Sequence, residues 1–158
     1  MGVKREILAN GKVLRALVLQ FEEKRTEQNL IGLLTCLRDS FVWIPCNVEM
    51  DDTDTKKFLG AKAGDTITTE GNIRMIPDIL KKGEDLFFPV FSSSDQMGEE
   101  YGSHFSKVQK HFFEAMSMAM ARKDVVAIVL DAFTHPFVIE KQFFDLIGRL
   151  PSQIDDED

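Results

Sequence analysis

The sequence predicts an α+β domain, with a single-layer mixed, mainly antiparallel sheet of about five strands packed with helices, two of them amphipathic and N-terminal. Three observations carry this. Apolar residues recur at helical spacing near both ends of the chain. Between them lie short runs rich in β-branched and aromatic residues, too short for useful helices and suited to strands. Neighbouring runs are joined by hairpin-length connections, which favour antiparallel or mixed pairing.

Asn10 precedes Leu14, Leu17, Val18 and Phe21, whose i, i+3, i+4, i+7 spacing places four apolar side chains on one helical face. Asn10 is the expected N-cap. After a break at Lys24-Arg25, Thr26 caps a second stripe of Leu30, Leu33, Leu34 and Leu37. Each helix is short and one-sided, so each must lay its face on something else. Residues 41–48 read as a strand, and Pro45 within it cannot donate to a ladder, which points to an edge strand or an irregular strand end. Residues 49–72 read as a long surface excursion.

Residues 73–80 and 86–91 predict a hairpin whose loop carries Gly83 where positive φ is needed. Pro77 and Pro89 interrupt its pairing locally. Ser92, Ser93 and Ser94 with Asp95 are expected to cap a following helix, without the full capping box. Phe105, Val108, Phe112, Phe113, Met116 and Met120 then form one helical stripe ending at Arg122-Lys123. The continuous apolar run 125–130 predicts a strand covered on both faces or central in its sheet. An extended piece at 136–139 leads into a last helix burying Phe143, Phe144, Ile147 and Leu150, which Pro151 stops. Residues 1–150 are expected to form one domain and 151–158 an acidic tail.

The net charge of −7 weighs against a partner recognised through phosphates. Four of those negatives are Asp155, Asp156, Glu157 and Asp158, and no third of the chain is strongly basic. Neither nucleic acid nor membrane is an expected partner, since no apolar run nears the ~20 residues of a membrane span. The charged N-terminus lacks a secretory h-region. With two cysteines read as reduced thiols, a cytoplasmic location is expected. At 158 residues and 44% hydrophobic content the chain needs neither disulfide nor structural metal to build a core.

His104 and His111 fall seven apart on one expected helix, about 10.5 Å along its axis, too far to share a zinc ion. Glu100 and His104 lack a third ligand. Cys36 and Cys46 lack C-x-x-C spacing and read as small core residues. Glu49, Asp51, Asp52 and Asp54 lack the glycine and the bidentate glutamate of a calcium loop. The glycine-rich nucleotide loops and G-x-S-x-G are absent. No metal or cofactor is therefore expected. Ser92, Ser93 and Ser94 remain the most suggestive loop, either an anion site or a cap for the helix that follows. Trp43, the single tryptophan, reads as core.

Leu86-Phe87-Phe88-Pro89-Val90-Phe91-Ser92-Ser93 resembles a hairpin arm of the SseB-like domain. Val126-Ala127-Ile128-Val129-Leu130-Asp131, followed by Phe137-Val138-Ile139, is similar to its late strand and extended piece. Asn10, Leu14, Leu17, Phe21, Asn29 and Leu37, then Val42-Trp43-Ile44-Pro45, match the way such domains begin. The resemblance spans roughly residues 7–150. It implies a bacterial cytoplasmic domain, named for an enhanced-serine-sensitivity protein, with no established enzymatic activity and no catalytic residues to transfer. The sequence departs from the family pattern at Asp131-Ala132, where Asn-Pro is frequent, and at Ser92, where Thr is common.

The expected function is that of a non-enzymatic small-ligand or protein-interaction module. Its expected surface comprises Phe91, Ser92, Ser93, Ser94, Asp131 and His135. Two alternatives stand beside it: a homodimer paired through Phe41, Trp43 and Pro45 on an edge strand, and a hydrolase-type enzyme in which Asp131, His135 and Ser93 converge.

Overall fold

The computed structural model describes residues 8, 10–49 and 74–154. Helix α1 (Lys12–Glu23) buries Leu14 and Val18 and half-buries Leu17 and Phe21. Its capping residue is Gly11, at φ 74, while the Asn10 side chain accepts the Lys12 N–H at 3.0 Å. The cap thus falls one residue later than the sequence indicated, because glycine tolerates the left-handed conformation there. Helix α2 (Glu27–Arg38) begins as expected, with Thr26 Oγ1 accepting the Asn29 N–H at 3.1 Å. It buries Leu33, Leu34 and Leu37.

The remaining elements are β1 (Phe41–Glu49), β2 (Arg74–Pro77), β3 (Leu80–Lys82), β4 (Asp85–Val90), α3 (Glu99–Gly102), β5 (Ser106–His111), α4 (Phe112–Ala121), β6 (Val125–Leu130), β7 (Phe137–Glu140) and α5 (Phe144–Arg149). Short 3-10 turns at Ser94–Met97 and Lys141–Phe143 precede α3 and α5. The fold is α+β, with two sheets ordered β2-β1-β5 and β3-β4-β6-β7. Every pairing is antiparallel except β4 with β6. Trp43 and Phe91 exchange backbone hydrogen bonds of 2.8 and 2.9 Å and join the sheets edge to edge. Across that bridge the strands run β5-β1-β4-β6-β7, so the single layer expected is two sheets meeting at one residue pair.

Strand β1 is internal, which corrects the edge placement, one of the two that Pro45 suggests, the other being an irregular strand end. Its N-terminal half lies between β5 and Phe91, and its C-terminal end pairs with β2. Pro45 is tolerated because it points, like Trp43, toward the side where Phe91 has ended and β2 begins only opposite Cys46. The missing N–H falls in that gap, and the Pro45 carbonyl accepts the Asp78 N–H at 2.8 Å instead. Of Phe41, Trp43 and Pro45, Trp43 has a strand neighbour on each side, Gln109 of β5 and Phe91.

The stripe from Phe105 to Met120 is not one helix. Ser106–His111 pairs with six residues of β1, and the helix starts only at Phe112. Ladder pairing prevails over local helical spacing here, as tertiary context often does. His104 and His111 therefore do not share a helix, and His111 Nδ1 accepts the Phe113 N–H at 3.1 Å. The expected hairpin is also shorter, β3 with β4 around Gly83 at φ 64. Arg74–Pro77 leaves it to pair with β1, beyond the break at Pro77. Glu49, expected to open the surface excursion, instead ends β1 and pairs with Arg74 of β2. The rest of that excursion, with Asp51, Asp52 and Asp54, lies outside the described residues.

Alternate residues Val42, Ile44 and Cys46 of β1, Phe88 and Val90 of β4, and Ile128 and Leu130 of β6 join Leu14, Leu34, Phe112, Ala115 and Ile147 of the helices in one core. On the opposite face Phe91 is fully buried. Its ring lies 6.1 Å from Tyr101 and 5.8 Å from Phe133. The Tyr101 hydroxyl donates to Asp78 at 2.6 Å. Burial, then that carboxylate, raises the phenol's pKa. Both cysteines are buried and unpaired, as expected. Among the described residues no helix is long and apolar enough to cross a membrane.

Candidate functional site

Because β4 and β6 are parallel, their carboxyl ends lie side by side, with Val90 opposite Leu130. The chain leaves β6 at Asp131 in the left-handed conformation, φ 52, which aspartate adopts more readily than most residues. The Asp131 N–H donates to the Val90 carbonyl at 2.9 Å. Its Oδ1 accepts the Ser92 N–H at 2.8 Å and its Oδ2 accepts the Ser92 hydroxyl at 2.7 Å. Burial pushes this carboxyl above the ordinary aspartate range, opposed by the two Ser92 hydrogen bonds and then by the charges of Arg15 and His135.

Arg15, from α1, completes the cluster. Its Nη1 donates to Ser92 Oγ at 2.9 Å, to the Asn10 carbonyl at 3.1 Å and to Ser93 Oγ at 3.4 Å. Gly11 allows this approach, since a Cβ there would sit 2.4 Å from the Ser92 carbonyl oxygen.

The structure thus joins Ser92 to Asp131 and brings Arg15 to Ser93. Phe91, Ser92 and Asp131 are all buried, at 0%, 1% and 2% exposure. Ser93 precedes the 3-10 turn at the N-cap position without a side-chain cap bond, and Ser94 begins the turn, so the serine run is no helix cap. His135 is exposed and reaches toward α1, its Nδ1 4.0 Å from Glu22 Oε2. Among the described residues no hydrogen bond links His135 to the three serines. Gly11, Arg15 and Glu22 were missed because the polar flank of α1 reads as a solvated face. A glycine placed just before an apolar stripe was the one available signal.

A second feature lies on the core-facing side of the three-stranded sheet. A groove of about 510 Å³ has Ile44 and Cys46 of β1, Met75 of β2 and Val108 of β5 as its floor, and Ser117 and Met118 of α4 as its wall. Lys110 and Glu114 line it too, their charged ends 3.5 Å apart. Among the described residues, helical cover of the groove runs out toward β2. Val42 and Ile44 are fully buried, whereas Val48 and Met75, further along the sheet, are 41% and 43% exposed. Burial raises the Cys46 thiol's pKa, and the Lys110 charge opposes it. Among the described residues no group of three His, Cys, Asp or Glu side chains could hold a metal ion.

Fold and sites together define an α+β domain with an internally bonded strand junction and a separate apolar groove. A family model described as the SseB protein N-terminal domain matches residues 14–144. The chain belongs to that family. Neither a curated protein nor a solved structure matched the chain.

Proposed function

We propose that this domain is a non-catalytic binding module that takes a small ligand in the groove between the β2-β1-β5 sheet and α4. One observation carries the reading. The polar groups at Ser92 and Asp131 are spent on each other, whereas the groove is open and lined by apolar side chains with a few polar groups. Its volume of about 510 Å³ falls within the range of roughly 300–1,000 Å³ found for small-molecule sites, which share that lining. His135 reaches toward Glu22 of α1, and among the described residues no hydrogen bond joins it to Ser93, so this reading gives it no role as a general base. In this reading the domain works in the bacterial cytoplasm with both thiols reduced, consistent with two buried, unpaired cysteines.

A thermal-shift panel of amino acids, small anions and small apolar compounds tests the proposal. A ligand present at a hundred times its Kd adds about 2.7 kcal/mol. At this chain length that raises Tm by roughly 5–10 °C. A flat response across the panel overturns the small-ligand reading.

A further inference from the structure

We infer that the groove takes an apolar monocarboxylate, its tail on Ile44, Cys46, Met75, Val108 and Met118 and its carboxylate on Lys110. The inference rests on the binding role proposed above and names the ligand class for the same groove. In the β1–β5 ladder Val108 pairs with Ile44 and Lys110 with Val42. Directly opposite residues share a face, so Lys110 rises from the same face as the groove floor. A lysine so placed lays its aliphatic stem along apolar surface and holds its ammonium at the mouth.

The field of that ammonium reaches inward, because Lys110 is the charge that opposes the burial-driven rise at the Cys46 thiol. Of the two charged side chains lining the groove, Lys110 is the less exposed, 43% against 58% for Glu114. The ammonium is therefore the more sheltered of the two charges. The Lys110–Glu114 contact is a solvated pair, a class that contributes little to stability. A ligand carboxylate can displace it, or share the ammonium's three donors. Two methionines among the apolar lining add unbranched thioethers that adapt to tails of differing shape.

Three probes of equal length, octanoate, octanol and octylammonium, are titrated below their aggregation thresholds into the full chain and followed by amide chemical shifts. Octanoate is expected to bind at least tenfold more tightly than the other two, with the largest shifts at Ile44 and Val108. Lys110→Met, which keeps the stem, is expected to bring octanoate within about twofold of octanol while leaving octanol unchanged. Glu114→Gln, which frees the ammonium, is expected to tighten octanoate. Comparable binding of octanoate and octanol, tightest binding of octylammonium, or a preference that survives Lys110→Met overturns the carboxylate assignment and leaves the groove itself standing as a site. If no probe moves any groove amide, the groove reading falls with it.

Discussion

A single buried carboxylate, that of Asp131, accepts both the backbone N–H and the hydroxyl of Ser92, at 2.8 and 2.7 Å. This ties the carboxyl ends of the two parallel strands β4 and β6. Asp131→Ala strands the buried Ser92 N–H and leaves alanine in the left-handed region, together costing about 2–4 kcal/mol. Asp131→Asn keeps an acceptor for that N–H and tolerates the same φ, so a loss below about 1 kcal/mol is expected. Urea denaturation of the two variants checks both figures.

The same carboxyl gives stability a defined pH dependence. Its folded pKa is raised, chiefly by burial, so the folded state holds the proton to higher pH than the unfolded chain does. Stability contributed at this position is therefore greatest below the unfolded value, near 3.9. It is lost as pH rises through the folded pKa. Asp131→Asn is expected to flatten the Tm-against-pH curve above about pH 4. A variant curve parallel to wild type would place the dependence elsewhere.

Gly11→Ala meets two obstacles, φ 74 and a Cβ position 2.4 Å from the Ser92 carbonyl oxygen. The conformational cost alone is about 1–2 kcal/mol, and the overlap adds to it. A drop of at least about 2 kcal/mol is expected in denaturant titration, against near-neutrality for Gly148→Ala, where nothing lies within 4 Å.

Asp39, 2% exposed, grips the chain beyond α5. It accepts the Ser152 hydroxyl at 2.7 Å and the Gln153 N–H at 2.7 Å, while Arg38 Nε donates to the Leu150 carbonyl at 2.9 Å. Asp39→Ala is expected to cost about 1–3 kcal/mol. The Gln153 amide should then exchange with solvent at least tenfold faster, while amides in β6 slow or quicken only with global stability.

Burial pushes the Cys36 thiol up to about 11 and raises Cys46 as well. Because the thiolate is the reactive form, a disulfide reagent at pH 8 should modify both only slowly in the folded protein. Both should react within seconds in denaturant. Rapid labelling of the native chain contradicts this packing.

Features that a residue and its immediate neighbours decide were legible in the sequence: the stripes of α1 and α2, the Thr26 cap, the left-handed Gly83 and the apolar β6, central in its sheet. Those decided by distant partners were not. Ser106–His111 shows one large apolar residue between two lysines, and only its ladder with β1 makes it a strand. Pro45 reads as an edge signal because the gap that accommodates its missing N–H comes from Phe91 and Pro77, far away in the chain. The expected surface already groups Ser92 with Asp131, but the parallel β4–β6 pairing that joins them has no local pattern. The groove draws on β1, β2, β5 and α4, so no motif marks it.

Amide chemical-shift mapping during titration with the thermal-shift hits tests the central claim most directly. The binding role assigned to the groove requires the largest perturbations at Ile44, Cys46, Val108, Lys110 and Ser117, with Ser92 and Asp131 unmoved. Perturbations centred on Ser92, Ser93, Asp131 and His135, with the groove silent, would contradict it.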